Sequence, residues 1–178
     1  MDEFKAKQLS TVTKFEGRIF SIASDRVRMP NGREVTMELV RHPGSVVLLP
    51  MQDDRHIVLI RQYRYALARW IWELPAGSLD PGEDPVTAAA RECEEEIGLV
   101  PGRVEFAGAW YPTPGFCTEV MNYYRLTGLR APDPHGPQAE KDEDEEIRAH
   151  VFQIDEARAM VRRGEIIDLK TAWGLTLV

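Results

Sequence analysis

Glutamate fills four of the five positions from 92 to 96 in the stretch GSLDPGEDPVTAAARECEEEIGL, Gly77–Leu99. The run closes a segment with clear helix punctuation: Asp84 is a good N-cap, Pro85 suits the first helical position and Gly98 suits a left-handed stop. The acid therefore falls in the last turns of a helix, where the macrodipole disfavours negative charge by about 0.3–1 kcal/mol per group. At 100° per residue Glu92 and Glu96 lie about 40° apart. Carboxylates four residues apart, about 5 Å from one another, repel by about 3 kcal/mol at an effective dielectric of about 20. Val86, Ala89, Ala90, Cys93 and Ile97 share a face expected to pack inward. Glu92 and Glu96 are expected along its margin, with Glu95 a little further round and Arg91 pointing away from the core. An arbitrary glutamate run is a solvated acidic face. The clean helix signals and the place beside the core favour a different reading here, a cradle for a hard divalent cation. Mg2+ takes oxygen ligands octahedrally and pairs a few carboxylates with phosphate and water.

The elements that must hold these groups are mostly strands. TVTKFEGRIFSIASDRVRMPNGREVTMELVRH alternates polar and apolar residues across an Asn31-Gly32 hairpin signal. SVVLLPM and HIVLIRQY read as buried strands joined by a turn, and RWIWEL, VEFAGAW, VMNYYRL and EIRAHVF as further strands. Besides the glutamate-bearing helix, three are expected: the opening stretch, Ile154–Arg163 with Asp155 as cap and Gly164 as stop, and a last one from about Asp168. The connection Gly128–Glu146 is long for a compact domain and acidic at its end. The pattern is α+β, with a mixed sheet and few helices.

Composition narrows the partners. With 178 residues, 43% of them apolar and 29% charged, the chain is long enough for one domain with a real core. A net charge of −7 argues against nucleic acid or an anionic membrane as partner. MDEFKAKQLS lacks the apolar core of a signal peptide, and no apolar run approaches a membrane span. Cys93 and Cys117 form no pattern and read as reduced thiols, so a cytoplasmic protein is expected. The four histidines lack ligand spacing, which leaves no case for zinc.

The spacing from Gly77 is Gly, five residues, Glu83, seven residues, then Arg91-Glu92-Cys93-Glu94-Glu95-Glu96-Ile97-Gly98-Leu99. This resembles the Nudix box, G-x5-E-x7-R-E-U-x-E-E-x-G-U with U a bulky aliphatic residue. Every fixed position matches, and the one departure is the smaller Cys93 at the first U. WELPAG before the box, YPTPG after it, RQYRY and the acidic DEDEE loop followed by a strand resemble the branch of ADP-ribose pyrophosphatases and related nucleoside-diphosphate-sugar hydrolases. The resemblance spans nearly the whole chain. It implies an α/β/α sandwich around a mixed sheet, with an N-terminal antiparallel β extension over residues 1–44 and a catalytic domain over 45–178. It also implies a homodimer whose N-terminal strands help build the partner's site.

Carried over by position, the resemblance implies that Glu92 and Glu96 are the main carboxylate ligands of Mg2+ or Mn2+, joined by the carbonyl of Ala76. Glu95 is implied as an additional ligand or supporting catalytic group. Gly77, Glu83, Arg91 and Gly98 are implied as structural members of the box, Arg91 holding the loop through Glu83. A general base is implied in the loop Asp142–Glu146, with Glu143 the first choice and Glu145 the second. Arg61 and Arg64 are candidates for the diphosphate, as strand-end guanidiniums able to form charge-assisted bonds. Glu73 and Glu119 match positions that bind the ribose or brace the site, and Phe116 is a candidate for stacking on a base, whereas Trp72 and Trp110 are expected to pack. The implied substrate is a nucleoside diphosphate linked to a sugar. Two rivals stay open: a nucleoside-triphosphate or dinucleoside-polyphosphate hydrolase, and a non-catalytic sensor of nucleotide sugars on the same fold.

Overall fold

Asn31 and Gly32 do what their types dictate. Gly32 takes φ +83°, Asn31 Oδ1 accepts the Arg33 N–H at 3.1 Å, and the chain reverses between β2 (Ser21–Arg28) and β3 (Glu34–Arg41). The structure is a computed structural model that describes residues 5–135 and 146–178. By internal contacts the chain divides into two compact units, Met1–Gly44 with Trp110–Val120, and Ser45–Ala109 with Met121–Val178.

In the first unit β2 is the middle strand of an antiparallel sheet ordered β1-β2-β3, with β1 spanning Lys7–Glu16. Lys7–Ser10 of the opening stretch, where helix was expected, is therefore strand, continuous with the strand read from Thr11 onward. The β-branched Thr11, Val12 and Thr13 suit a pleated surface, and pairing from Lys7↔Arg28 to Glu16↔Ser21 satisfies a backbone edge that a helix would have left open. Asp25 is buried in this sheet, accepting from Thr11 Oγ1 at 2.5 Å and from Arg41 Nη2 at 2.6 Å.

The second unit carries the expected mixed sheet. β4 (Ser45–Pro50) pairs antiparallel with β7 (Ala76–Ser78) and parallel with β9 (Met121–Thr127), and β8 (Arg103–Trp110) flanks β9 in the order β7-β4-β9-β8. A second sheet, ordered β10-β5-β6, combines β10 (Ile147–Gln153), β5 (His56–Arg64) and β6 (Arg69–Glu73). β4 is buried along its whole length because both its faces are covered. Val46, Leu48, Tyr124 and Leu126 pack with Ala88, Ala89 and Cys93 of α1 (Pro85–Ile97). The opposite face presents Leu49 and Tyr123 to α3 (Leu169–Gly174). There a Cβ on Gly174 would stand 2.3 Å from Leu74 Cδ1 and 3.2 Å from Leu49 Cδ2 and Tyr123 Cε1, so a side chain there would have to push Leu74 aside. Helix, mixed sheet and helix are the three layers the resemblance implies.

Helix α2 (Ile154–Arg163) forms where expected and stops at Gly164, φ +74°. Its cap differs. Gln153 takes the N-cap position without a side-chain bond, and Asp155 lies inside the first turn, paired with Arg158 at 3.3 Å. The Ile154 N–H already donates to Arg55 O at 2.9 Å, so the strand that feeds the helix fixes its start. Among the described residues no helix is long and apolar enough to cross a membrane.

Candidate active site

Helix α1 begins and ends on the signals in its sequence. The Asp84 carboxylate accepts from the Val86 and Thr87 N–H groups at 3.1 and 3.2 Å, and Gly98, φ +69°, returns its N–H to the last carbonyls. Its buried face is not the one the apolar spacing predicts. Ala88, Ala89, Glu92, Cys93 and Glu96 are buried, whereas Val86 is 45% exposed. The helix is rotated so that Glu92 and Glu96 lie inside the packed face rather than at its margin. The turn of β7 explains this, because it offers polar partners that a purely apolar wall would lack.

Glu96 Oε2 accepts the Ala76 N–H at 2.9 Å. Glu92 lies against the next residue so closely that a Cβ on Gly77 would stand 1.8 Å from Glu92 Oε1. The first glycine of the box is thus a steric requirement of the carboxylate, not of the backbone turn. Arg91 also differs from expectation, for it does not point away. Its Nε and Nη2 hold Glu83 at 3.0 and 2.9 Å, and its Nη1 donates to Glu92 Oε1 at 2.8 Å and to Glu95 Oε2 at 2.7 Å. One planar guanidinium therefore ties the loop residue Glu83 to two carboxylates of the helix. The hydrogen bonds from Arg91, with a backbone N–H bond involving Asp80, hold the Glu83 carboxyl below its usual range, and Glu83 in turn raises the Arg91 guanidinium.

The donor set suits the divalent cation that the resemblance implies. Two buried carboxylates share a helix face, a third lies beside them on the same guanidinium, and all of the oxygens are hard donors. Among the described residues no group of three or more His, Cys, Asp and Glu side chains could hold an ion alone. Cys93, in the place of an aliphatic residue, is fully buried, and burial, then the charge of Glu94, pushes its thiol up to about 12. It is a packing residue with no thiolate to offer.

Arg64 and Glu73 are brought together on β5 and β6, Arg64 Nε to Glu73 Oε1 at 2.6 Å and Nη2 to Oε2 at 2.9 Å. Arg61 stacks over the Trp72 ring, 5.6 Å from its centroid, and Trp72 also meets His150 and Phe152 edge-on. Phe116 and Glu119 belong to the first compact unit, where Phe116 is exposed and its carbonyl accepts the Val40 N–H at 2.8 Å. Glu143 and Glu145 lie outside the described residues. The sequence reading missed Lys170, which pairs with the buried Glu73, and Thr171, whose hydroxyl accepts the Leu74 N–H at 2.6 Å. The Asp168 cap was the only signal for them, and a cap does not say what its helix docks against.

Comparison with known proteins places this geometry. The family model described as NUDIX domain matches residues 40–170. An ADP-ribose pyrophosphatase of Mycobacterium tuberculosis is 39% identical over 169 residues, covering 94% of this chain and 80% of that protein. A methanol dehydrogenase activator of Bacillus methanolicus is 36% identical over 168 residues, covering 94% of this chain and 89% of its own. A solved crystal structure of an ADP compounds hydrolase shares the fold, with a TM-score of 0.80 over 97% of this chain and 91% of that one at 22% identity.

Proposed function

The chain belongs to the NUDIX family and is a hydrolase of phosphorus anhydrides, and we propose that its substrate is a nucleoside diphosphate linked to a sugar, ADP-ribose first among them. The observation that carries this reading is the pair of buried carboxylates, Glu92 and Glu96, set against the Ala76-Gly77 backbone on a helix that gains nothing from their charge. Glu92, Glu96 and Glu95, with the Ala76 carbonyl, are the groups that would hold Mg2+ or Mn2+. When bound, the ion supplies positive charge against the diphosphate and lowers the pKa of water.

The chain's own residues then do three things. Arg91 and Glu83 keep the box carboxylates in register. We assign Arg61 and Arg64 to binding and orienting the diphosphate, Glu119 and Phe116 to the nucleoside and sugar, and the buried Glu73 to bracing the site. A carboxylate takes the proton from water as its oxygen bonds to one phosphorus, and the anhydride P–O bond breaks with its electron pair leaving on the second phosphate. We assign that base to Glu143 first, then Glu145, with Glu95 a supporting group beside the metal ligands. The products are a nucleoside monophosphate and a sugar phosphate.

We assign the working form to a cytoplasmic homodimer. Leu9, Val12, Phe15, Phe20, Val35 and Met37 give the N-terminal sheet an exposed apolar content that a second copy would cover. The test is product analysis on a panel of nucleoside-diphosphate sugars with Mg2+ and Mn2+, with nucleoside triphosphates and dinucleoside polyphosphates alongside. Release of nucleoside monophosphate from ADP-ribose fixes class and substrate together. Preferential cleavage of the other compounds reassigns the substrate, and tight binding without cleavage makes the chain a sensor.

A further inference from the structure

The Glu73 carboxylate is 1% exposed and lies between two cations. Arg64 grips both of its oxygens, and Lys170 Nζ, from α3, reaches the second. Burial alone would push the Glu73 carboxyl up, but the hydrogen bond from Arg64 and the charge of Lys170 outweigh it and hold it below the usual range. Lys170 is itself fixed three times: its Nζ donates to Asp168 Oδ2 at 3.0 Å, its carbonyl accepts from the Tyr123 hydroxyl at 3.0 Å, and Gly174 seats its helix on Leu49 and Leu74. Asp168 closes the arrangement by accepting from the Thr171 N–H and hydroxyl.

The two cations differ in exposure. The Lys170 side chain is 13% exposed, whereas that of Arg64 is 39% exposed. Lys170 is thus an interior counter-ion, and Arg64 is the cation that this group turns to solvent. Formal charges balance, Arg64 and Lys170 against Glu73 and Asp168. Without Lys170 the same group carries one net negative charge, and the whole Glu73 carboxylate falls to Arg64.

We propose that Lys170 is a positioning residue for Arg64: by sharing the Glu73 carboxylate it sets the place and the effective charge of the arginine that an anionic substrate meets. The inference rests on the reading of Arg64 as a diphosphate contact. Lys170 touches no substrate in this scheme and is not a catalytic residue.

Steady-state kinetics with ADP-ribose and Mg2+, or with the panel member cleaved fastest, decides the matter for Lys170→Gln, Lys170→Arg, Arg64→Gln and the double variant Arg64→Gln/Lys170→Gln. Loss of one charge within the reach of Arg64 raises KM by about threefold to tenfold in Lys170→Gln, with kcat within about twofold. Added salt shrinks the difference. Lys170→Arg, which keeps the charge, restores KM. Arg64→Gln raises KM at least as much, and Lys170→Gln adds nothing on that background. If Arg64→Gln raises KM and Lys170→Gln does not, the positioning role falls while Arg64 keeps its assignment. If Arg64→Gln leaves KM unchanged, the assignment of Arg64 falls and takes the inference with it. A Lys170→Gln protein with lower thermal stability and unchanged KM makes Lys170 a brace of the fold only.

Discussion

Two charged clusters of the second unit are built on opposite principles. Around Glu73 two acids meet two bases, every group has a named partner, and the sum is zero. Around Arg91 one guanidinium serves the carboxylates of Glu83, Glu92 and Glu95, and Glu96 beside them accepts the Ala76 N–H, so acids outnumber bases among these named groups. Both clusters are largely buried, so burial does not tell a site from a brace. Charge balance does. A pair that neutralises itself holds its own geometry, whereas a cluster with more acid than base gains from an added cation.

The comparison breaks first at Glu96. Glu96→Gln keeps an oxygen for the Ala76 N–H but removes one surplus charge. Turnover should fall about 10²–10³-fold, while the melting temperature of the metal-free protein holds or rises. A marked loss of metal-free stability would mean that the surplus is balanced after all. At the other cluster the same change runs the opposite way. Glu73→Gln strips the shared anion from two cations and should cost about 3 kcal/mol, roughly 6–12 °C in melting temperature for a chain of this size. Its acid dependence carries a sign. The folded carboxyl lies below its ordinary value of 4.5, so Glu73 stabilises fully above that value and its contribution is lost as pH falls through the folded value. The Glu73→Gln protein should therefore show a flatter loss of stability on acidification than the parent.

Metal titration sharpens the contrast from the other side. At a hundredfold excess over its dissociation constant, Mg2+ or Mn2+ should add about 2.7 kcal/mol to wild-type stability, read as a rise of roughly 5–11 °C. The rise should be nearly lost in Glu96→Gln and retained in Lys170→Gln. Equal rises in both variants would deny that only one cluster awaits a cation. The smallest effect on stability is expected from Gly77→Ala. The methyl group meets the end of the Glu92 side chain, which can swing aside, so the melting temperature should change by only about 1–3 °C. The displaced carboxylate should still cost about tenfold or more in kcat.

Sequence legibility followed how local each cause is. The α1 boundaries were readable because Asp84, Pro85 and Gly98 act on their own neighbours. The strands from Ser45 to Phe152, the short β7 apart, were readable because alternation and apolar runs report burial directly. The first residues of β1, Lys7–Ser10, were missed because their pairing with β2 is a tertiary fact that outweighs a weak local preference. The rotation of α1 was missed for a related reason. Apolar spacing finds the face that avoids water, and here the packed face includes two carboxylates that Ala76, Gly77 and Arg91 accommodate. In the same way, spacing set Glu83 and Arg91 in one motif but could not show that Arg91 also reaches Glu92 and Glu95. Nothing local pointed to the partner of Lys170, which stands 97 positions earlier.

That separation bears on when the molecule becomes competent. The box and the strands before it are complete long before residues 168–171 are made, yet Glu73 and the Leu74 N–H, next to the turn that leads to Ala76, wait for Lys170 and Thr171. Closing a contact over so long a loop comes late in folding, because its entropy is lost before the contact repays it. In a chain made from its N-terminus the carboxylates of α1 are therefore present well before the bonds of Lys170 to Glu73 and of Leu74 to Thr171 can close.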